Sequence, residues 1–249
     1  MAVVIFVMGL CCGSFVNMLV YRTEIKYKLC KSKFEGVDRN RSYCDYCGKQ
    51  LSWYENVPIV SWLILKGKTK CCHKKLPVQY PLVELMTGIL FVVFRNDYLG
   101  MVMVTLLMFS AVFDLKWMIL PDFSTYILIG LSIVIVIMGG HGGPPLQYLL
   151  AGLGSFLFLL ALHVGTKGKG MGFGDVKYAI FMGLLLGWPK IIIAYYFAFV
   201  VGAIFGISLI MLKGYKKSSH IPFGPFLITG TMFAYLVGDK LLYYVYRWF

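Results

Sequence analysis

Charge is what this sequence of 249 residues has least of: 14% are Asp, Glu, Lys or Arg, where a soluble globular domain carries about a quarter. Acid is scarcer still, with 11 Asp and Glu against 24 Lys and Arg. So few charges exclude an ordinary water-facing surface. The stretch Met1 to Tyr21 has no basic residues ahead of its apolar run, and Cys11 and Cys12 follow Leu10 rather than a small residue. A cleaved or lipidated leader needs those features, so the stretch is expected to remain as a first membrane span. A secreted disulfide framework is also missing. Of seven cysteines two lie in that span, one is Cys30, and four fall in a basic loop. No glycine-rich loop of the Rossmann kind is present to bind a nucleotide-like donor.

What the chain has is apolar length. Hydrophobic residues make up 59% of it, in runs long enough to cross a bilayer core of about 30 Å. They predict an all-α polytopic membrane protein with about eight transmembrane helices, near residues 2–21, 82–95, 98–117, 121–139, 146–164, 175–187, 190–212 and 223–246. Between the first two spans, residues 22–75 hold 13 Lys and Arg against 5 Asp and Glu. The net charge of +13 thus crowds into connecting segments, which argues against nucleic-acid binding and for membrane topology. The positive-inside rule makes this segment cytoplasmic and puts the N-terminus outside. The other inside segments are then 114–122, 166–177 and 213–220, with Lys116, Lys167, Lys169, Lys177, Lys213, Lys216 and Lys217. The organisation expected is a first span (1–21), a small cytoplasmic cysteine-containing subdomain (22–80) and a transmembrane domain (81–249). Val57 to Leu65 is too short to span. It reads as the core of the subdomain, with an interfacial or re-entrant segment as the alternative.

Acid at membrane depth costs a few kcal/mol on insertion scales and so calls for a reason. Asp114 lies at the inner end of the third span, and Asp175 closes Met171-Gly172-Phe173-Gly174-Asp175 at the inner start of the sixth. Topology brings both to the same side of the membrane. Taken singly, Asp114 fits a charged helix end and Asp175 a helix N-cap. Together they fit a chemistry that needs two carboxylates, one taking a proton from water while the other, protonated, donates to a scissile carbonyl. Two neighbouring carboxylates do not both ionise cheaply, so such a pair shares one proton and loses activity at alkaline pH. Gly172 and Gly174 let the backbone turn and approach a substrate strand closely.

Gly172-Phe173-Gly174-Asp175 resembles the GxGD motif of intramembrane aspartyl proteases, and Met171 to Lys177 is similar to the version found in bacterial type IV prepilin peptidases. Five further segments resemble that family in order. They are Gly13-Ser14-Phe15-Val16-Asn17 with Tyr21-Arg22; Glu55-Asn56-Val57-Pro58 with Ser61-Trp62-Leu63; Tyr80-Pro81-Leu82-Val83-Glu84; Asp114 with Ile119-Leu120-Pro121-Asp122; and Ile221-Pro222-Phe223-Gly224-Pro225-Phe226. The resemblance implies that Asp114 and Asp175 cleave the short basic leader of prepilins or pseudopilins at the cytoplasmic face of the bacterial inner membrane. It also implies, in many members, methylation of the new N-terminus by S-adenosylmethionine. The peptidase step it implies uses no metal.

Cys44-Asp45-Tyr46-Cys47 followed by Cys71-Cys72-His73 reads as a structural zinc site, because four soft ligands satisfy tetrahedral zinc. Free thiols are the plain alternative, and no βαβ pattern supports a thioredoxin-like motif. The family's usual arrangement is two Cys-x-x-Cys pairs. Here Thr69 takes the third cysteine's place, Cys72 the fourth, and Cys71 is an adjacent substitute, with His73 as an alternative ligand. The family links this loop to methyl transfer.

Glu84, at the start of the second span, and Lys177, two residues after Asp175, are candidates for orienting substrate; each also has a plain reading, as a helix-start carboxylate and an inside-loop lysine. His141 and His163 have no partner spacing. Tyr243, Tyr244, Tyr246 and Trp248 read as an interfacial belt. The competing functions are an ion-coupled transporter, against which no pair of matching interrupted helices is found, and a non-catalytic scaffold of a secretion or pilus assembly.

Overall fold

The computed structural model describes residues 1–29, 42–44, 46–139, 143–168, 170–213 and 222–248. Cys30, His141, Lys169, Lys216, Lys217, Ile221 and the side chains of Tyr246 and Trp248 lie outside the described residues. Nine α-helices are described: α1 (Ala2–Lys26), α2 (Val60–Ile64), α3 (Gln79–Val93), α4 (Tyr98–Trp117), α5 (Asp122–Ile137), α6 (Pro145–Gly165), α7 (Phe173–Leu186), α8 (Lys190–Lys213) and α9 (Gly224–Trp248). The eight long ones lie where the apolar runs predict them. Among the described residues, α1, α4, α6 and α8 are long and apolar enough to cross a membrane, while α3 and α5 are apolar and shorter. This is a multi-pass membrane protein.

Two compact units divide the chain, 1–109 and 110–249, with the boundary inside α4. In the first, α1 packs along α3, and the two backbones approach closely at glycines. A Cβ on Gly9 would lie 2.7 Å from Gly88 Cα, and one on Gly13 would lie 2.6 Å from Glu84 Cα. Gly9 and Gly13 form the G-x-x-x-G spacing that lets helix backbones touch where apolar burial supplies no driving force.

In the second unit, α7 is the central element, packed by α5, α6, α8 and α9. Its fourteen residues reach about 21 Å, too short to cross the apolar core unaided. Ten of them are buried, so α7 is enclosed by protein rather than by lipid. Gly183 allows the contact with α6: a Cβ there would lie 2.6 Å from Gly152 Cα and would also overlap the Ala151 carbonyl.

One expectation is overturned. No residue of α2 is buried, and Val60, Leu63 and Ile64 are exposed, so Val57 to Leu65 is not the core of the subdomain. Nor is Asp175 the N-cap residue of α7. Gly172 takes that position and Asp175 stands three residues further on, in the first turn.

Gly183→Ala is expected to destabilise the protein by about 1–3 kcal/mol through overpacking. Gly154→Ala, on α6 with nothing within 4 Å of its Cβ position, is expected to be neutral or stabilising by up to about 1 kcal/mol. Melting temperatures of the two variants in one detergent check the contrast.

Candidate active site and cysteine cluster

Asp114 occupies the last turn of α4 and is 4% exposed; Asp175 occupies the first turn of α7 and is 7% exposed. The two are within electrostatic reach of each other. Each accepts a backbone N–H, Asp175 Oδ2 from Gly172 at 3.1 Å and Asp114 Oδ2 from Gly224 at 3.1 Å. Both donors stand where a helix begins, among the N–H groups that no turn of the helix itself satisfies. Gly172 has no side chain, so only the returning half of a capping box exists there.

The glycines are fixed by close approach. A Cβ on Gly224 would lie 2.6 Å from Asp114 Oδ2, and one on Gly174 would lie 3.2 Å from Leu120 Cβ. Leu120 also reaches the Gly224 position, at 3.2 Å through Cδ2. It is thus a buried wedge between the starts of α7 and α9. Upstream, Ser124 Oγ donates to the Pro121 carbonyl at 2.8 Å and lies 3.0 Å from Ser110 Oγ, tying the turn after α4 to the start of α5.

His163, which sequence spacing gave no role, supports this site. Its Nδ1–H donates to the Met171 carbonyl at 2.8 Å, and its ring meets Phe173 edge to face. The signal missed was its distance: eight residues span the turn from the end of α6 back to the GxGD segment. Lys177 does not pair with Asp175. Its ammonium binds Asp122 at 2.7 Å and lies 5.4 Å from the Phe173 ring centroid.

Glu84 lies in the first unit, 7% exposed. Its Oε2 accepts the N–H of Ile59 at 2.7 Å, and the Ser14 hydroxyl also bonds it. Ile59 has φ +58°, a left-handed conformation that a β-branched residue rarely adopts. The carboxylate therefore pins a strained turn just ahead of α2.

The four loop cysteines converge, with all sulfurs within 4.8 Å of one another. Two antiparallel bridges, Tyr43 with Gln50 and Lys68 with Lys75, form matching turns. In one, Cys44 N–H donates to the Lys49 carbonyl and Gly48 N–H to Cys44; in the other, Thr69 N–H donates to Lys74 and His73 N–H to Thr69. Thr69 thus sits at the equivalent of Cys44, Cys72 at that of Cys47, and His73 at that of Gly48, both of these last with positive φ. Cys71 supplies the fourth sulfur from the next residue. Sulfur separations of 3.7 Å (Cys44–Cys72), 3.2 Å (Cys47–Cys71) and 4.0 Å (Cys71–Cys72) bracket the roughly 3.8 Å that tetrahedral bonds of about 2.3 Å require. The Thr69 hydroxyl, 3.1 Å from Cys72 Sγ, pulls that thiol down to about 7. This cluster can bind a metal ion. His73 is exposed and outside it.

Comparison with known proteins decides the family. Residues 7–98 match the model of the bacterial peptidase A24 N-terminal domain, and residues 101–207 that of the type IV leader peptidase family. A protein of Aeromonas salmonicida (strain A449) named prepilin leader peptidase/N-methyltransferase is 33% identical over 98% of this chain and 92% of its own. The chain belongs to the type IV leader peptidase family. Proteins of the same name from Neisseria gonorrhoeae and Bacillus subtilis (strain 168) are 30% and 29% identical over 97% and 96% of this chain, and over 92% and 95% of their own. No solved structure matches the chain.

In this family member Glu84→Ala should release the turn at Ile59, whereas Glu84→Gln keeps an acceptor oxygen. Hydrogen bonds to charged groups contribute about 1.5–3 kcal/mol. Limited proteolysis between residues 42 and 76 should therefore speed up by tenfold or more in the first variant and change little in the second.

Proposed function

We propose that this chain is an aspartyl endopeptidase of the bacterial inner membrane that removes the basic leader of prepilins or pseudopilins and N-methylates the new N-terminus. The observation that carries the peptidase half is the pair Asp114 and Asp175, buried at one end of one helical unit and each fixed by a helix-start N–H. One carboxylate, ionised, takes a proton from water as the oxygen attacks the scissile carbonyl; the other, protonated, donates to the carbonyl oxygen. Collapse of the tetrahedral intermediate breaks the C–N bond, and the leaving amine takes the proton. Gly172 leaves room for substrate backbone beside Asp175, and Phe173, half exposed, is placed to meet an apolar pilin residue. Lys177 holds Asp122 at the start of α5, and in the first unit Glu84 holds the turn at Ile59.

The basic charge of segment 22–75 supports an orientation with the cysteine loop and both aspartates at the cytoplasmic face and the N-terminus outside. In the division of labour proposed here, residues 81–249 carry the peptidase and residues 22–80 serve methyl transfer. Cys44, Cys47, Cys71 and Cys72 hold a structural zinc ion, which clamps the two matching turns together. Donor-set chemistry and sulfur spacing support zinc, and the relatives' N-methyltransferase name supports S-adenosylmethionine as methyl donor.

Co-expression with a bacterial prepilin tests the peptidase. Asp114→Asn and Asp175→Asn are each expected to lower leader removal at least 1,000-fold, about 4 kcal/mol of transition-state stabilisation. Gly224→Ala should follow Asp114→Asn, because its methyl displaces the carboxylate. Mass spectra of the processed pilin report cleavage and the added methyl together. Full cleavage by either Asn variant removes that aspartate from the chemistry.

Elemental analysis of the purified chain is expected to find one zinc per protein, lost in Cys44→Ser and Cys47→Ser and kept in His73→Ala. Loss in the histidine variant would assign the fourth ligand differently.

A further inference from the structure

Helix α2 is turned the wrong way for a surface in water. Its Ser61 and Trp62, with Leu65 after it, line the interior of the first unit together with Ser14, Asn17 and Glu84. The outer face is Val60, Leu63 and Ile64, neighbours at helical spacing, and they are 49%, 61% and 73% exposed. From residue 57 to residue 65 no side chain carries charge. Apolar side chains grouped on an outer face mark contact with a membrane or with protein.

The packing of α1 on α3 fixes how deep this face lies. Asn17 Nδ2–H donates to the Tyr80 carbonyl at 3.2 Å, Gly13 meets Glu84, and Gly9 meets Gly88, a single antiparallel register. Arg22 is the first charged residue of α1, so residues 2–21, about 30 Å of helix, match the hydrocarbon core. The start of α3 is therefore level with Asn17, inside that boundary. Glu84 bonds both the Ser14 hydroxyl and the Ile59 N–H, and Ser14 lies seven residues before Tyr21. Ile59 is thus about 10 Å below the end of the apolar run. Backbone at such a depth must find its partners within the protein, and here it does. Glu84 takes the Ile59 N–H at 2.7 Å, Ser61 N–H donates to Val57, Leu63 to Ile59, and Gly67 to Trp62.

We propose that residues 57–65 form a re-entrant segment that dips into the acyl chains of one leaflet, turns at Ile59 and shows Val60, Leu63 and Ile64 to lipid. Ile59, with φ +58°, is the turning point. From there to Lys66 the chain can rise about 10 Å as helix, enough to return to the headgroups. The flanks match. Trp53, 81% exposed, and Tyr54 precede the dip as interfacial aromatics, and the exposed Lys66 and Lys68 follow it as partners for anionic phosphates. Lipid is the occupant because the face lies at the depth of Leu82 and Leu85, exposed side chains of the membrane helix α3. The leaflet is the inner one on the orientation proposed above; the re-entry itself rests only on the span of α1.

The test places the full chain in vesicles of phosphatidylethanolamine and phosphatidylglycerol. One set contains a phospholipid with a diazirine on its acyl chain, the other a phospholipid with a diazirine on its headgroup. After irradiation, mass spectrometry is expected to find acyl-chain label within residues 57–65, as on the exposed face of α3, and headgroup label within residues 66–75. Headgroup label alone on 57–65 puts the segment at the surface and overturns the proposal. No lipid label there, with α3 labelled, leaves water or a second copy of the chain on that face and overturns it as well. Ile64→Asp is expected to lower the melting temperature in these vesicles by about 5 °C or more, and Lys68→Asp by less than about 2 °C. Equally small losses in both variants overturn the proposal; if Ile64→Asp does not insert, the wild-type map decides. The map is read without substrate, so a failure of the peptidase reading leaves it unchanged.

Discussion

A buried carboxylate must find hydrogen-bond donors inside the protein, and this chain draws them from the starts of helices. Asp175 takes the N–H of Gly172, Asp114 that of Gly224, and Glu84 that of Ile59. Each donor precedes or opens a helix, where the first four N–H groups have no partner along the chain. The pairing satisfies two needs at once, since an unpaired N–H and an uncompensated carboxylate are both costly away from water. It also dictates where glycine must stand. At Gly224 even a methyl group would fall on the acid it serves, and α7 begins on a residue with no side chain to compete for the N–H that Asp175 uses.

The same economy of side chains governs packing. Gly9, Gly13 and Gly88 bring α1 and α3 together, and Gly183 and Gly152 bring α7 against α6. Backbone contact of this kind holds helices by dispersion and leaves few side chains free to rotate between them. Rigid helices then allow a functional group to be set from its neighbours: Leu120 touches the positions of both Gly174 and Gly224, and His163 holds the carbonyl of Met171. In the first unit, two turns of the same hydrogen-bond pattern face each other through sulfur, although one carries threonine where the other carries cysteine.

Much of this was legible in the residues. Apolar length placed the eight long helices, and positive charge between them pointed to one end for Asp114 and Asp175. The family's Cys-x-x-Cys spacing puts Thr69 at the vacant cysteine position, and the matching turns agree. Other features needed coordinates. Trp62, Leu63 and Ile64 read as core because apolar residues between polar segments usually are, yet a five-residue helix is too small to bury its own surface. Sequence offers Lys177 as a substrate-orienting group or a plain inside-loop lysine, whereas α5 brings Asp122 to its ammonium from 55 residues away. The use of Gly224 was invisible for the same reason, since its partner lies 110 residues earlier.

That separation has a consequence for assembly. The hydrogen-bonded support of Asp175 is local: His163, Met171, Gly172 and the acid itself fall within thirteen consecutive residues and can reach their arrangement once α6 and α7 close into a hairpin. Asp114 is made early but waits for α9, whose Gly224 lies 110 residues later, to deliver its N–H. Until α9 has inserted, the support of Asp175 can be complete while the Asp114 carboxylate still lacks its backbone donor.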